Sequence, residues 1–526
     1  MTGTVQDPGA ITRIHQLLDR WIQSQPDAPA LRDSNLALTY GQLDQVATAV
    51  MLELKSVGVR AGDRVLVVGE NCVAQGVLVI ALSRMDAWCI LSNARLSDRE
   101  IDVFIEHSRP RRVLYTHTVS SDAARHAERH GAQPVTWPGI GEMQLGPLDS
   151  ETWAEPVASS ATEQVAAIIY TSGTSGAPKG VMLTHANLMF TAKSAARMRS
   201  LSPRDRSYCV LPMAHVVGIA TQFLGSMCGG ASVLFEPRFT PAETARVLDE
   251  EGITSFVGVP AMYARLLEWA RSTGHVLKTD SVRFLAAAGS PMTAPLKAEV
   301  EATFGQALHN GYGLTECGPT ISQTRIEAPR SDCAVGHPID GVNVRIVDSR
   351  GHDVPLGDVG ELWARSPGLM KGYYLNPAAT AEAINTDGWF NTGDMARFDL
   401  DGALNIVGRT KELIIRSGLN VYPVEVEQAI NAHSDIVQSA VVGRTVGHNE
   451  EVVAFVEKRE GSSLDAATLQ QYLREKLAPY KVPTEVCFLD ALPAAPTGKV
   501  LKNVLKKTAQ DSVKTSPEYP QQLQRS

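Results

Sequence analysis

Tyr170-Thr171-Ser172-Gly173-Thr174-Ser175-Gly176-Ala177-Pro178-Lys179-Gly180 follows directly on the apolar run Val165–Tyr170 and leads into a helix-like stretch. Gly173 and Gly176 let backbone amides turn towards an anion, the hydroxyls of Thr171, Ser172, Thr174 and Ser175 add donors, and Lys179 adds charge. The segment is not a Walker A loop. Counted from Gly173, that pattern needs glycine where Pro178 stands and Ser or Thr where Gly180 stands. On these residues alone, a phosphate cradle and a flexible surface turn both fit.

Working outward, the chain alternates helical and strand patterns, which predicts α/β layers with much parallel sheet. Strand-like runs occur at Arg64–Val68 and Arg112–Tyr115. Thr39-x-x-Gln42 and Ser97-x-x-Glu100 each fit a capping box ahead of an apolar-periodic run. Trp137–Thr162 has no sustained period and reads as a loop or a crossing between subdomains. After Val407-Gly408-Arg409 the pattern becomes a compact α+β series. It runs strand Glu412–Ile415, helix Pro423–Ala432, strands Ile436–Val442 and Val452–Val456, helix Leu464–Lys476 and strand Val486–Leu489, with a polar, frayed tail after Thr508. The expected division is a large multi-layer unit over 1–409 and a small one over 410–526.

The 526 residues exceed the ~100 to 200 of one ordinary domain. With 44% apolar and 20% charged residues the chain buries a core. The net charge of −8, all carried before Thr410, argues against a general nucleic-acid or anionic-membrane surface. Seven scattered cysteines without a C-x-x-C pair indicate neither a disulfide framework nor a zinc site. Met1–Ile22 lacks the regions of a signal peptide, and the apolar stretch Val65–Leu82 is broken by Glu70, Asn71 and Gln75. The expectation is a soluble cytoplasmic protein without a membrane span; the oligomeric state stays open.

Four more motifs follow the first in order: Asn310-Gly311-Tyr312-Gly313-Leu314-Thr315-Glu316, Thr392-Gly393-Asp394, Gly408-Arg409-Thr410-Lys411-Glu412 and Pro496-Thr497-Gly498-Lys499. Together the five resemble the signatures of the adenylate-forming superfamily, which contains acyl-CoA synthetases, firefly luciferase and peptide-synthetase adenylation domains. The resemblance implies a large N-terminal domain with a small mobile C-terminal one, and ATP, Mg²⁺ and coenzyme A as reactants or cofactors.

By this resemblance, Thr171 to Lys179 would cradle phosphates, Glu316 would hold magnesium and Thr315 would add a donor. Neutralising charge suits the reaction, because a carboxylate must attack an α-phosphate. Asp394 would accept hydrogen bonds from ribose hydroxyls, with Arg409 assisting. Adenine would stack on Tyr312, near Gly289, Ser290 and Pro291. Lys499 would reach the reacting carboxylate from the small domain, and Lys411 matches a hinge that lets it withdraw. Arg416–Pro423, including Ser417 and Gly418, resembles a loop lining the pantetheine tunnel, with Leu419 where many relatives have glycine.

His215 in Leu211-Pro212-Met213-Ala214-His215 resembles a residue at the acyl pocket that gates thiol entry; Ala214 and Ala288 replace an aromatic and a glycine common in relatives. Ala214–Ile219 and Phe284–Gly289, the expected pocket walls, contain no carboxylate, lysine or arginine. The expected substrate is therefore an apolar monocarboxylic acid, aromatic or of medium chain, converted through an acyl-adenylate to its CoA thioester. Two alternatives stand beside this: loading of a separate acyl carrier protein, and a non-catalytic nucleotide-binding regulator.

Overall fold

The computed structural model describes residues 11–171, 178–447, 449–495 and 499–515. Two large sheets and the helices between them make up most of the first unit. In the nine-stranded sheet, six neighbouring strands run parallel in the order Leu308–Gly313, Phe284–Ala287, Ser255–Gly258, Arg206–Cys209, Ser232–Phe235 and Pro29–Arg32. The eight-stranded sheet has a parallel centre of Val165–Thr171, Trp88–Asn93, Arg64–Gly69 and Arg112–Tyr115. Lys179–Thr184 returns antiparallel beside Val165–Thr171, so the ends of the phosphate-loop segment are held at the Thr171 and Lys179 pair.

The apolar stretch that might have suggested a membrane is the interior of this stack. It divides into the buried strand Arg64–Gly69 and the helix Val73–Arg84, which is apolar on all sides because one core surrounds it with residues of both sheets. Among the described residues, no helix is long and apolar enough to cross a membrane. Both predicted capping boxes form, at the starts of Tyr40–Ser56 and Asp98–Ser108.

A four-stranded antiparallel sheet, Asn343–Val347, Gly360–Arg365, Phe390–Phe398 and Leu404–Arg409, closes the first unit. The second has a hairpin (Ile414–Arg416 and Leu419–Val421) and a separate sheet of Ile436–Val446, Asn449–Lys458 and Glu485–Leu489. Its helices Pro423–Asn431 and Ala466–Arg474 pack on that sheet's core. Among the described residues, no sheet crosses from one series to the other.

Two expectations need correction. Gln133–Trp137 and Gly141–Leu145 pair as a hairpin where a structureless crossing was expected; Gly139 and Gly141, both at φ +75°, allow the tight reversal. The tail expected to fray after Thr508 is helical as far as Thr515, in the helix Lys502–Thr515 that Leu505 and Ala509 anchor against Ala440, Val442 and Phe455; residues 516–526 lie outside the described residues.

Candidate active site

The cleft between the two units encloses about 2130 Å³. Single small-molecule pockets span roughly 300 to 1000 Å³, so this space suits more than one substrate. It opens at the carboxyl ends of Ser255–Gly258, Phe284–Ala287 and Leu308–Gly313, where open parallel sheets bind ligands.

Gly289, Ser290 and Pro291 leave the strand Phe284–Ala287 and line the cleft, with Gly289 at φ +85°. Asn310, Gly311, Tyr312 and Gly313 line the adjoining edge. The Asn310 side chain donates to the Cys333 carbonyl at 2.8 Å, and a Cβ on Gly313 would stand 1.7 Å from the Pro319 carbonyl oxygen. Only glycine permits that approach.

Asp394 is buried, and its carboxylate accepts from the Tyr312 hydroxyl at 2.5 Å and pairs with Arg409 Nε at 3.1 Å. Burial pushes its carboxyl up, while Arg409 and Tyr312 pull it back. Carboxylate oxygens each have two acceptor lone pairs, so capacity for vicinal hydroxyls persists. The bond to Asp394 also fixes the Tyr312 ring, an orientation the sequence did not reveal.

Thr315 is buried in the short turn Thr315–Cys317, which also carries Glu316. Glu316 accepts from the Tyr373 hydroxyl at 2.9 Å, and Lys179 Nζ lies 4.6 Å from the Tyr373 ring centroid. Tyr373 thereby joins the metal candidate to the phosphate-loop lysine. Sequence reading missed it, although Gly372-Tyr373 pairs with Met182 and Val181 just beyond the loop. Among the described residues no group of three or more metal-binding side chains occurs. One oriented carboxylate nevertheless fits Mg²⁺, which commonly takes one or two carboxylates together with substrate phosphates and waters.

Lys499 enters the cleft from the small domain. Its side chain keeps access to solvent in the open cleft, yet enough protein surrounds it that desolvation and Arg409 lower its pKa, against Glu412 and Asp394. His215 also lines the cleft, its Nδ1 accepting from the Val217 amide at 3.3 Å. Burial, then the Lys499 charge, lowers its pKa to about 4, so the ring is neutral at pH 7. Lys502, which sequence reading passed over as a solvated tail residue, pairs with Glu412 at 2.9 Å and Glu427 at 2.8 Å. That ties the Lys499 segment to the residue after Lys411.

Lys411 lines the cleft. Ser417 and Gly418 do not: they form the exposed turn of the small hairpin, at φ 53° and 78°, and Ser417 accepts from Asn449 Nδ2 at 3.3 Å. In this arrangement no residue of the hairpin Ile414–Val421 lines the cleft. Ser172, Gly173, Thr174, Ser175 and Gly176 lie outside the described residues.

The two expected pocket walls are as free of charge as their sequences indicated, but the cavity is not. Arg199, from the end of the helix His185–Met198, reaches it. Nothing local in Arg197-Met198-Arg199-Ser200 signals this placement.

Residues 18–374 match the AMP-binding enzyme family and residues 425–499 match the AMP-binding enzyme C-terminal domain. The chain belongs to this family, among its AMP-forming acid–CoA ligases. A feruloyl-CoA synthase of Amycolatopsis sp is 32% identical over 490 residues, covering 93% of this chain and 97% of that one. ATP-bound MatB from Rhodopseudomonas palustris superposes with a TM-score of 0.81 at 30% identity, covering 95% and 99% of the two chains. An O-succinylbenzoate coenzyme A synthetase from Bacillus subtilis, in complex with ATP and magnesium ion, does so at 0.78 and 26%, covering 93% and 99%. The family's two-part organisation, a large α/β domain followed by a small one, is that of this chain.

Proposed function

We propose that the protein joins a carboxylic acid to coenzyme A in two steps, with residues 1–409 binding ATP and acid and residues 410–526 moving between the steps. The acid's oxygen attacks the α-phosphate of ATP, giving acyl-adenylate and pyrophosphate. The thiol of CoA then attacks the acyl carbon, giving thioester and AMP. The observation that carries this reading is Lys499, brought from the small domain to a cleft that also holds Asp394, Arg409 and His215.

Lys499 offers a cation to the acid's carboxylate as negative charge meets negative charge. Asp394 receives the ribose hydroxyls and Arg409 flanks it, while Tyr312 with Gly289–Pro291 walls the adenine. Thr171 to Lys179 hold the outer phosphates, Thr315 donates to the α-phosphate, and Glu316 would hold Mg²⁺, which when bound supplies neutralising charge between phosphate oxygens. His215, neutral, gates the thiol's approach. Ser417 and Gly418 would line the thiol's path once the small domain turns about Lys411.

The acid's body is apolar, aromatic or of medium chain, because Val217, Val259, Ala286 and Ala287 line its side of the cavity. The expectation of a single charge on that acid rested on walls without cations, and Arg199 removes its ground. The free cysteines among the described residues suit a reducing, cytoplasmic setting. A panel of carboxylic acids assayed for pyrophosphate release with and without CoA tests the reaction. Acid-dependent release and a CoA thioester support it; release without a thioester points to a carrier-protein acceptor, and no release with any acid refutes it.

A further inference from the structure

Four cationic side chains belong to nearly fully buried residues among those described: Arg64, Arg111, Arg199 and Lys297. Three have a carboxylate partner: Arg64 pairs with Glu155 at 2.9 Å, Arg111 with Asp63 at 3.8 Å, and Lys297 with Glu301. Arg199, 4% exposed, has none. Its Nη1 donates to the Thr221 carbonyl at 3.0 Å, its Cζ lies 5.8 Å from the Phe284 ring centroid, and its Nε is buried without a partner. The nearby Cys209 thiol adds no counter-charge, since burial raises its pKa and keeps it protonated.

The position is built. Arg283, paired with Asp205, donates to the backbone carbonyls of Arg199 and Ser200 at 2.9 and 3.0 Å, clamping the helix end to the start of the strand Phe284–Ala287. The other end of that strand leads to Gly289–Pro291 at the nucleotide. The four residues of that strand span roughly 13 Å. Arg199 therefore lines the cavity at the start of that strand, away from Gly289–Pro291, with its guanidinium at the carbonyl of Thr221 in the helical stretch Val217–Leu224 that follows His215.

We propose that the acid carries a second anionic group, a carboxylate or sulfonate, at the end remote from the carboxylate that is activated, and that this group pairs with Arg199. The inference rests on the ligase reading above. An isolated buried charge is costly, and a planar fork with only one donor engaged matches a bidentate oxyanion. The apolar walls between the two ends select the length and shape of the body.

The test compares matched acids with and without the distal group: hexanoate and adipate, octanoate and suberate, cinnamate and 4-carboxycinnamate. A further arm with 6-sulfohexanoate separates carboxylate from sulfonate recognition. In the wild-type protein, kcat/KM for pyrophosphate release is expected to favour the doubly charged member of at least one pair by about 10- to 100-fold, the range of a charged hydrogen-bonded contact. The gain should lie mainly in KM, because the distal group is remote from the reacting atoms. Arg199→Met should abolish or invert the preference, and Arg199→Lys should keep part of it. The wild-type ratios decide the matter even if a variant fails to fold. Monoacids preferred in every pair, or a ratio unmoved in folded Arg199→Met, would overturn the inference while leaving the ligase reading intact. No pyrophosphate from any acid would overturn both.

Discussion

Lys499→Ala separates the two half-reactions. Its ammonium shares the cleft with Asp394, Arg409 and Glu412, and burial together with those neighbours shifts its pKa. A donor aimed at developing charge typically contributes about 10² to 10³ in rate, or about 2.7 to 4 kcal/mol. Acid-dependent pyrophosphate release should fall by that factor, whereas thioester formation from acyl-adenylate supplied ready-made should change little. The pH profile adds a second readout. Because burial and Arg409 lower the lysine's pKa, its charge is lost at a pH below the usual lysine range. Adenylation should therefore decline as pH rises through that lowered value, and Lys499→Arg, which stays protonated, should lose this alkaline limb. Equal loss in both half-reactions, or an alkaline limb that survives in Lys499→Arg, would refute the role.

Lys411→Pro should show the reverse pattern: adenylation largely preserved and thioester formation slowed, because proline fixes φ near about −65° and restricts rotation at that position; stopped-flow measurement of both steps checks it, and equal rates would exclude the hinge. Glu316→Gln should slow adenylation and raise the magnesium concentration it needs, which a metal titration of pyrophosphate release reads directly. Glu236 is a stability test. Burial, then Glu243, raises its pKa from 4.5 to about 7, so the folded protein binds this proton more tightly and loses stability as pH climbs from 4.5 through 7. Glu236→Gln should therefore stabilise the protein at pH 8 and leave it almost unchanged at pH 4.5, read by thermal melts at both values. Arg459 and Glu268, 2.7 Å apart and partly exposed, join the small unit to the large one. Such pairs contribute ~0.2 to 1 kcal/mol, so Arg459→Ala should shift the ratio of the two half-reaction rates towards thioester formation by at most about 5-fold, and the swapped pair Arg459→Glu with Glu268→Arg should restore it.

What was legible in the sequence depended on signals that lie close together along the chain. The capping boxes at Thr39 and Ser97 involve residues three apart, and the strands Arg64–Gly69 and Val165–Thr171 declare themselves as short apolar runs. The close backbone approach expected at Gly311 and Gly313 holds at Gly313 but not at Gly311, where an added Cβ would meet nothing nearer than 3.4 Å. Tyr373, Lys502 and Arg199 were not readable, because each acts through a partner far away: Glu316 is 57 residues from Tyr373, and Glu412 is 90 from Lys502. The hairpin Gln133–Trp137 with Gly141–Leu145 was missed for a different reason. In its first strand only Trp137 is buried, which leaves too few apolar positions to mark a period of two.

The contacts around Lys499 divide into two kinds, and the division suits a part that must arrive and leave. Within the small unit, Lys502 bridges Glu412 and Glu427 where all three are largely shielded; burial alone would lower the lysine's pKa, yet the two carboxylates outweigh it and raise it. This network holds the Lys499 segment to the stretch just after Lys411, so in the proposed motion the lysine would travel with the whole unit and arrive already positioned. Across the units, the Arg459–Glu268 pair is about one-third exposed on each side and contributes little. A strong bridge there would stabilise the adenylating arrangement and slow the exit that the thiol step requires. On the proposed two-step reading, preorganisation is therefore concentrated inside the small unit, and the Arg459–Glu268 contact that its proposed motion would break is a weak one.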